Sequence, residues 1–141
     1  MTRKITIILA ILGIADAIYL SIIKLTENKT LCVPGIGDCW TVNNSSFSEW
    51  NGIPISFFGI FAYILIIGIL LYESKFSFLS RFGTIFIFGI ALCGFLFSIY
   101  LTYLQIAVIK AICPFCIISA ITMTSVFTIT LVRLVNEQKE F

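Results

Sequence analysis

The sequence predicts an all-α integral membrane protein, a four-transmembrane-helix bundle with one long polar loop. Of its 141 residues, 60% are hydrophobic and 11% are charged, whereas a soluble domain carries about 25% charged residues. The mean hydropathy is +1.10. The apolar residues form four runs, each near or above the roughly 20 residues that a helix needs to cross about 30 Å of hydrocarbon. Because backbone polar groups in lipid must be paired within their own segment, each run is expected to be helical.

We expect the whole chain, 1–141, to form a single membrane domain. The helices are predicted at about 5–23, 53–72, 82–109 and 114–132, and the long loop at 24–51. The third run is long enough to tilt or to extend into the interface. The first run contains Ala15-Asp16-Ala17, which fits the small-x-small cleavage pattern of a signal peptide, but its apolar character continues to Ile23. A retained helix is therefore favoured.

The positions of the basic residues predict the orientation in the cell membrane. Six lie at the two termini and in the short loop between the second and third helices: Arg3, Lys4, Lys75, Arg81, Arg133 and Lys139. Only Lys24, Lys29 and Lys110 lie on the other side. Since cytoplasmic segments are enriched in Lys and Arg, both termini are expected in the cytoplasm. The net charge of +2 and the scattered basic residues give no indication of nucleic-acid binding.

Four of the five cysteines are expected on the extracytoplasmic face. Cys32 and Cys39 lie in the long loop, and Cys113 and Cys116 form a Cys-Pro-Phe-Cys at the start of the fourth helix. That face of a bacterial membrane is oxidising, and two neighbouring cysteine pairs can pass a disulfide by thiol–disulfide exchange. Cys93, alone in the middle of the third run, is interpreted as a packing residue.

The Cys-Pro-Phe-Cys segment suits redox chemistry. Proline is favoured in the first turn of a helix, so Pro114 predicts Cys113 as the N-cap. The positive end of the helix dipole lowers the pKa of a thiol there, and the thiolate is the form that attacks. Cys116 lies one turn deeper, where a redox ligand dissolved in the membrane can reach it and a soluble protein cannot.

Two alternatives remain open for these cysteines. The first is a non-catalytic membrane protein in which all four thiolates bind a metal, although the six residues between Cys32 and Cys39 exceed the usual spacing of two to four. The second is a static disulfide within the loop, which leaves the Cys-x-x-Cys pair unexplained. The sequence contains no histidine, the commonest metal ligand.

These features resemble those of the vitamin K epoxide reductase family and its bacterial and archaeal homologues. The shared features are the loop pair Cys32 and Cys39, Ser45 six residues later, Gly52-Ile53-Pro54 opening the second helix, and Cys113-Pro-Phe-Cys116. The stretch 13–20 in the first helix is also similar. The order of the pairs is informative, because the other four-helix bacterial disulfide oxidase has its Cys-x-x-Cys before its loop pair.

The resemblance implies a helix bundle around a quinone pocket that the outer loop caps. It implies that Cys32 exchanges with a partner protein, Cys39 relays to Cys113, Cys116 contacts the quinone, and Ser45 helps to hold the cap. The corresponding activity is that of a quinone-dependent oxidoreductase without a metal. It would oxidise an extracytoplasmic thioredoxin-like protein and reduce menaquinone or ubiquinone in the lipid bilayer, supporting disulfide bond formation.

Two departures from the family refine this expectation. Members that reduce the epoxide carry an Asn near the start of the second helix and a Tyr one turn after the second motif cysteine. Ile55 and Ala120 occupy these positions, and neither side chain can donate a hydrogen bond, so a plain quinone acceptor is favoured over an epoxide. Many bacterial members also have a fused thioredoxin-like domain. This chain stops at Phe141, so a separate thiol partner is expected.

Asp16 is a further candidate, because a carboxyl group within a membrane helix is costly and often functional. It is interpreted either as a proton acceptor or as a polar contact between helices.

Overall fold

The computed structural model describes residues 2–26, 41, 46 and 49–140. The elements are α1 (Thr2–Thr26), β1 (Glu49–Trp50), β2 (Ile53–Pro54), α2 (Ile55–Tyr72), α3 (Ser77–Tyr103) with a π-helical continuation (Leu104–Ile109), and α4 (Pro114–Lys139). The four α-helices are long and apolar enough to cross a membrane. The predicted all-α bundle of four membrane-spanning helices is confirmed, and the chain is a multi-pass membrane protein. Most of the loop that was expected to cap the bundle lies outside the described residues.

Side chains at the helix contacts explain why the bundle holds together. α1 packs against α2 and α4, and α3 packs against α4 and α2. One buried cluster joins α2, α3 and α4 through Ile66, Leu70, Ile87, Ala91 and Val126. Many large apolar side chains point away from the bundle, among them Ile8, Leu12, Ile64 and Ile121. Such an apolar surface is unfavourable in water but is suited to a lipid environment.

A tight hairpin leads into α2. Asn51 and Gly52 have φ values of 53° and 81°, which is the pair of left-handed conformations that a type I′ turn requires and that Asn-Gly adopts readily. The turn pairs Glu49 with Pro54 in antiparallel register. Glu49 also forms a 2.8 Å ion pair with Lys24 near the end of α1. The Gly-Ile-Pro segment therefore positions the start of α2 beside the end of α1.

The helical path changes where α3 ends. The six residues Leu104–Ile109 form a π-helical segment, and Lys110 then adopts a left-handed conformation with φ 56°. The backbone carbonyl of Gln105 accepts hydrogen bonds from the N–H groups of both Lys110 and Ala111. π-helical turns within α-helices are rare in proteins, and those that occur are often found at functional sites. Here the π-helical segment ends the third membrane span, and three residues separate it from Cys113.

The opposite end of the bundle is joined by a polar network. An Nη atom of Arg133 lies 3.0 Å and 3.1 Å from the two carboxylate oxygens of Glu73, and Arg133 Nε lies 3.1 Å from Glu137 Oε1. The hydroxyl of Thr84 donates to the same Glu137 oxygen. The network therefore links the end of α2 to α3 and α4, on the side where the sequence predicts the cytoplasm.

Candidate active site

Two of the five predicted site residues lie in the described part of the chain. Cys113 and Cys116 are both present as free thiols. Cys32, Cys39 and Ser45 lie outside the described residues, so the loop pair and the cap remain predictions.

Cys113 is the N-cap of α4. Its backbone is extended (φ −100°, ψ 114°), Pro114 occupies the first turn, and the N–H of Ile117 donates to the Cys113 carbonyl at 3.1 Å. This confirms the N-cap position that the proline indicated. The Cys113 side chain is fully buried and packs against Leu20 and Ile23 of α1. A protein in the aqueous phase therefore has no direct access to this thiol.

The surroundings of Cys113 favour its thiolate. The pKa of this thiol lies below its ordinary value, chiefly because the Cys116 thiol hydrogen-bonds to it. The backbone N–H groups of Cys116 and Phe115 lower the pKa further, while burial and the charge of Asp16 raise it. The net direction agrees with the expectation for a thiol at a helix N-terminus. Of the two cysteines, Cys113 is therefore suited to act as the nucleophile in an exchange reaction.

Cys116 lies one helical turn further along α4 and lines a cavity of about 660 Å³. All four helices contribute to this cavity, and its lining is mostly apolar, with the aromatic rings of Phe58, Phe61, Phe86 and Phe97. The volume falls within the roughly 300–1,000 Å³ of sites that hold drug-sized ligands. An apolar chamber of this size with a thiol on its wall fits the head group of a lipid-soluble quinone.

Ile55 and Ala120, where the epoxide-reducing members carry hydrogen-bonding side chains, both line this cavity. Both positions are therefore placed to contact a ligand in the cavity. Their side chains are pure hydrocarbon and cannot form a hydrogen bond with it. The cavity has polar groups at other positions, including the hydroxyls of Ser56 and Thr102. The Ser56 hydroxyl is 2.8 Å from that of Ser21, and the Thr102 hydroxyl donates to the carbonyl of residue 98.

The structure adds two cavity residues that sequence reasoning missed. Gln105 lines the cavity, and its side-chain oxygen accepts a 3.0 Å hydrogen bond from the backbone N–H of Cys113. The sequence did contain a signal for this residue, because Gln105 is a lone amide in an apolar run, eight residues before Cys113. Cys93 also lines the cavity and is exposed. Its interpretation as a packing residue is therefore wrong.

Asp16 belongs to a buried polar region between α1 and α2. Its Oδ2 atom and the hydroxyl of Tyr63 are buried, and neither has a hydrogen-bond partner among the residues that the structure describes. The ring of Tyr63 lies directly over Gly13, one turn before Asp16, where a Cβ atom would overlap the ring. Gly13 is thus required for the close approach of α2 to α1.

Within the described ranges, no group of three Cys, Asp or Glu side chains is placed to hold a metal ion. The loop cysteines, which the four-thiolate alternative also needs, lie outside these ranges.

The chain also matches a known protein family. The model of the Vitamin K epoxide reductase family matches residues 4–131, which is most of the chain. The match includes all four helices up to Leu131 and both described cysteines of the site. The chain therefore belongs to the vitamin K epoxide reductase family of membrane oxidoreductases.

Proposed function

We propose that this protein is a membrane thiol–disulfide oxidoreductase that oxidises an extracytoplasmic thioredoxin-like protein and reduces a membrane quinone. The observation that carries the proposal is the different environment of two adjacent thiols. Cys113 is buried at the start of α4, and Cys116 lies on the wall of the apolar cavity. One thiol is thus suited to exchange within the protein and the other to contact with a ligand from the lipid phase.

The reaction is balanced in electrons and protons. Two thiols of the partner protein become one disulfide, and the two electrons and two protons that they lose convert one quinone into one hydroquinone. Within this chain, Cys113 and Cys116 alternate between a dithiol and a disulfide. The dithiol is regenerated by exchange with another cysteine of the chain.

The burial of Cys113 supports a relay through the outer loop. A soluble partner does not reach a fully buried thiol, so electrons must arrive through a cysteine of the chain itself. In the proposed path Cys32 exchanges with the partner, Cys39 passes electrons to Cys113, and Ser45 helps to hold the loop over the cavity. These three roles rest on the resemblance of the loop to that of the family.

The proposed quinone is menaquinone or ubiquinone. Support comes from the volume and apolar lining of the cavity and from its contact with Cys116. Ile55 and Ala120 leave the cavity without the two hydrogen-bonding side chains of the epoxide-reducing members. A quinone is therefore favoured over an epoxide as the electron acceptor.

We further propose that both termini are cytoplasmic and that the four cysteines of the relay are extracytoplasmic. A membrane-impermeant thiol reagent tests this orientation in right-side-out and inverted vesicles after mild reduction. Modification of Cys32 and Cys39 in right-side-out vesicles is expected. Modification in inverted vesicles alone would reverse the orientation.

The proposed activity is tested by anaerobic mixing of the purified protein with a quinone and a reduced thioredoxin-like protein. We expect catalytic formation of one hydroquinone for each disulfide formed in the partner, and loss of turnover in Cys113→Ala and Cys116→Ala. Stoichiometric zinc, with thiols that react only after chelation and no quinone reduction, would instead support the metal-binding alternative.

A further inference from the structure

Gln105 has an unusual position for an amide. It is only 4% exposed, and it lies in the π-helical segment that ends the third membrane span. Burying an amide without hydrogen-bond partners is costly. The backbone oxygen of Gln105 accepts two hydrogen bonds in the turn, and its side-chain Oε1 accepts one from the N–H of Cys113. The residue is therefore built into the turn that carries the motif cysteines.

The hydrogen bond with Cys113 fixes the orientation of the amide. A side-chain amide has one accepting oxygen and one donating NH2 group, and the two are often hard to tell apart in a structure. Here the partner is a backbone N–H, which can only donate. The oxygen must face Cys113, and the NH2 group must therefore face the other way. Within the described part of the chain, this NH2 group has no hydrogen-bond partner.

Gln105 lies on the wall of the cavity, which offers a place for this donor to meet a ligand. Gln105 and Cys116 line the same chamber, and Gln105 is linked directly to Cys113. By contrast, the hydroxyl of Thr102 already donates to a backbone carbonyl. The amide is thus an unpaired donor close to the thiols in a cavity that is mostly hydrocarbon.

We propose that the NH2 group of Gln105 donates a hydrogen bond to a carbonyl oxygen of the quinone and so orients the ring relative to Cys116. This inference rests on the proposed function. It assigns to Gln105 the hydrogen bonding that Ile55 and Ala120 cannot provide. Oε1 of the same amide accepts a hydrogen bond from the backbone of Cys113. A single side chain therefore contacts both the ligand and the cysteine pair, and it fixes the position of one relative to the other.

The test compares two ligands of similar shape in two proteins. The ligands are a prenylated naphthoquinone and the matching prenylated naphthalene without carbonyl groups, and the proteins are the oxidised wild type and Gln105→Met. Methionine is similar in length but lacks both the donor and the acceptor. Loss of the Oε1 bond to Cys113 affects the binding of both ligands alike, whereas loss of the NH2 group affects only the quinone. The double comparison therefore isolates the contact with the carbonyl.

We expect Gln105→Met to weaken quinone binding about threefold to tenfold while binding of the naphthalene changes little. The infrared stretch of one 13C-labelled quinone carbonyl should also move towards its frequency in hydrocarbon solvent. Thr124→Val is the matched control, because the Thr124 hydroxyl also donates to a backbone carbonyl but lies outside the cavity lining, and it should leave that frequency unchanged. Equal weakening of both ligands, or no change in the carbonyl frequency, would overturn the inference alone. Failure of the wild type to bind the quinone would overturn the proposed function and this inference with it.

Discussion

Cys113 and Cys116 stand one helical turn apart at the start of α4 and face different surroundings. Cys113 is fully buried against Leu20 and Ile23 of α1, while Cys116 lies on the wall of the cavity. The two thiols also interact, because the Cys116 thiol hydrogen-bonds to Cys113 and lowers its pKa. The pair therefore combines a thiol suited to act as a nucleophile with a thiol that faces the apolar cavity.

The first prediction concerns this hydrogen bond. Cys116→Ala should raise the pKa of Cys113, because the main group that stabilises its thiolate is removed. Cys116→Ser should keep the pKa low, since a hydroxyl donates to a thiolate in the same way. The measurement is the pH dependence of ultraviolet thiolate absorbance in chains whose other cysteines are alanine. Identical titration curves for the Ala and Ser variants would contradict the assignment.

The helices and the N-cap were predictable because each depends on local sequence. Four apolar runs of sufficient length specify four helices in lipid, and Pro114 specifies where the last one begins. The orientation of Cys93 was not predictable, because a helix that is apolar on all sides gives no periodic signal for the face it turns to the bundle. The bond between Gln105 and Cys113 depends on a π-helical turn, which no simple sequence pattern indicates.

The second prediction concerns the glycine under Tyr63. Gly13→Ala should lower the free energy of unfolding by about 1–3 kcal/mol, because the new methyl group would overlap the Tyr63 ring. Gly68→Ala is the matched control: nothing lies within 4 Å of its added Cβ, and alanine is the better helix former. Thermal unfolding in detergent measures both. A Gly13→Ala variant as stable as the Gly68→Ala variant would show that the helices separate at little cost.

The third prediction concerns the cavity. Cys93→Phe should raise the KM for quinone several-fold, because the larger side chain fills part of the chamber that Cys93 lines. Leu96→Phe places the same ring three residues further along α3, at a position that is 57% exposed. It should leave the KM near that of the wild type. Equal effects of the two substitutions in steady-state assays would argue that the quinone binds elsewhere.

The fourth prediction concerns the network at the opposite end of the bundle. Arg133→Met should destabilise the fold by about 1–3 kcal/mol, because Glu73 is largely buried and loses its charged donor. Adding Glu73→Gln should recover part of the loss, since an unpaired carboxylate accounts for much of the cost. Lys139→Met, at an exposed site near the end of the same helix, should have little effect. A double variant no more stable than Arg133→Met would contradict this explanation.

The central claim is that electrons leave the protein through the Cys113–Cys116 pair. The direct measurement is a single turnover of the fully reduced protein with quinone under anaerobic conditions, followed by alkylation and mass spectrometry of the thiols. The account predicts one Cys113–Cys116 disulfide for each hydroquinone formed in the first turnover, and no hydroquinone in Cys116→Ala. Quinone reduction by Cys116→Ala at the wild-type rate would contradict it.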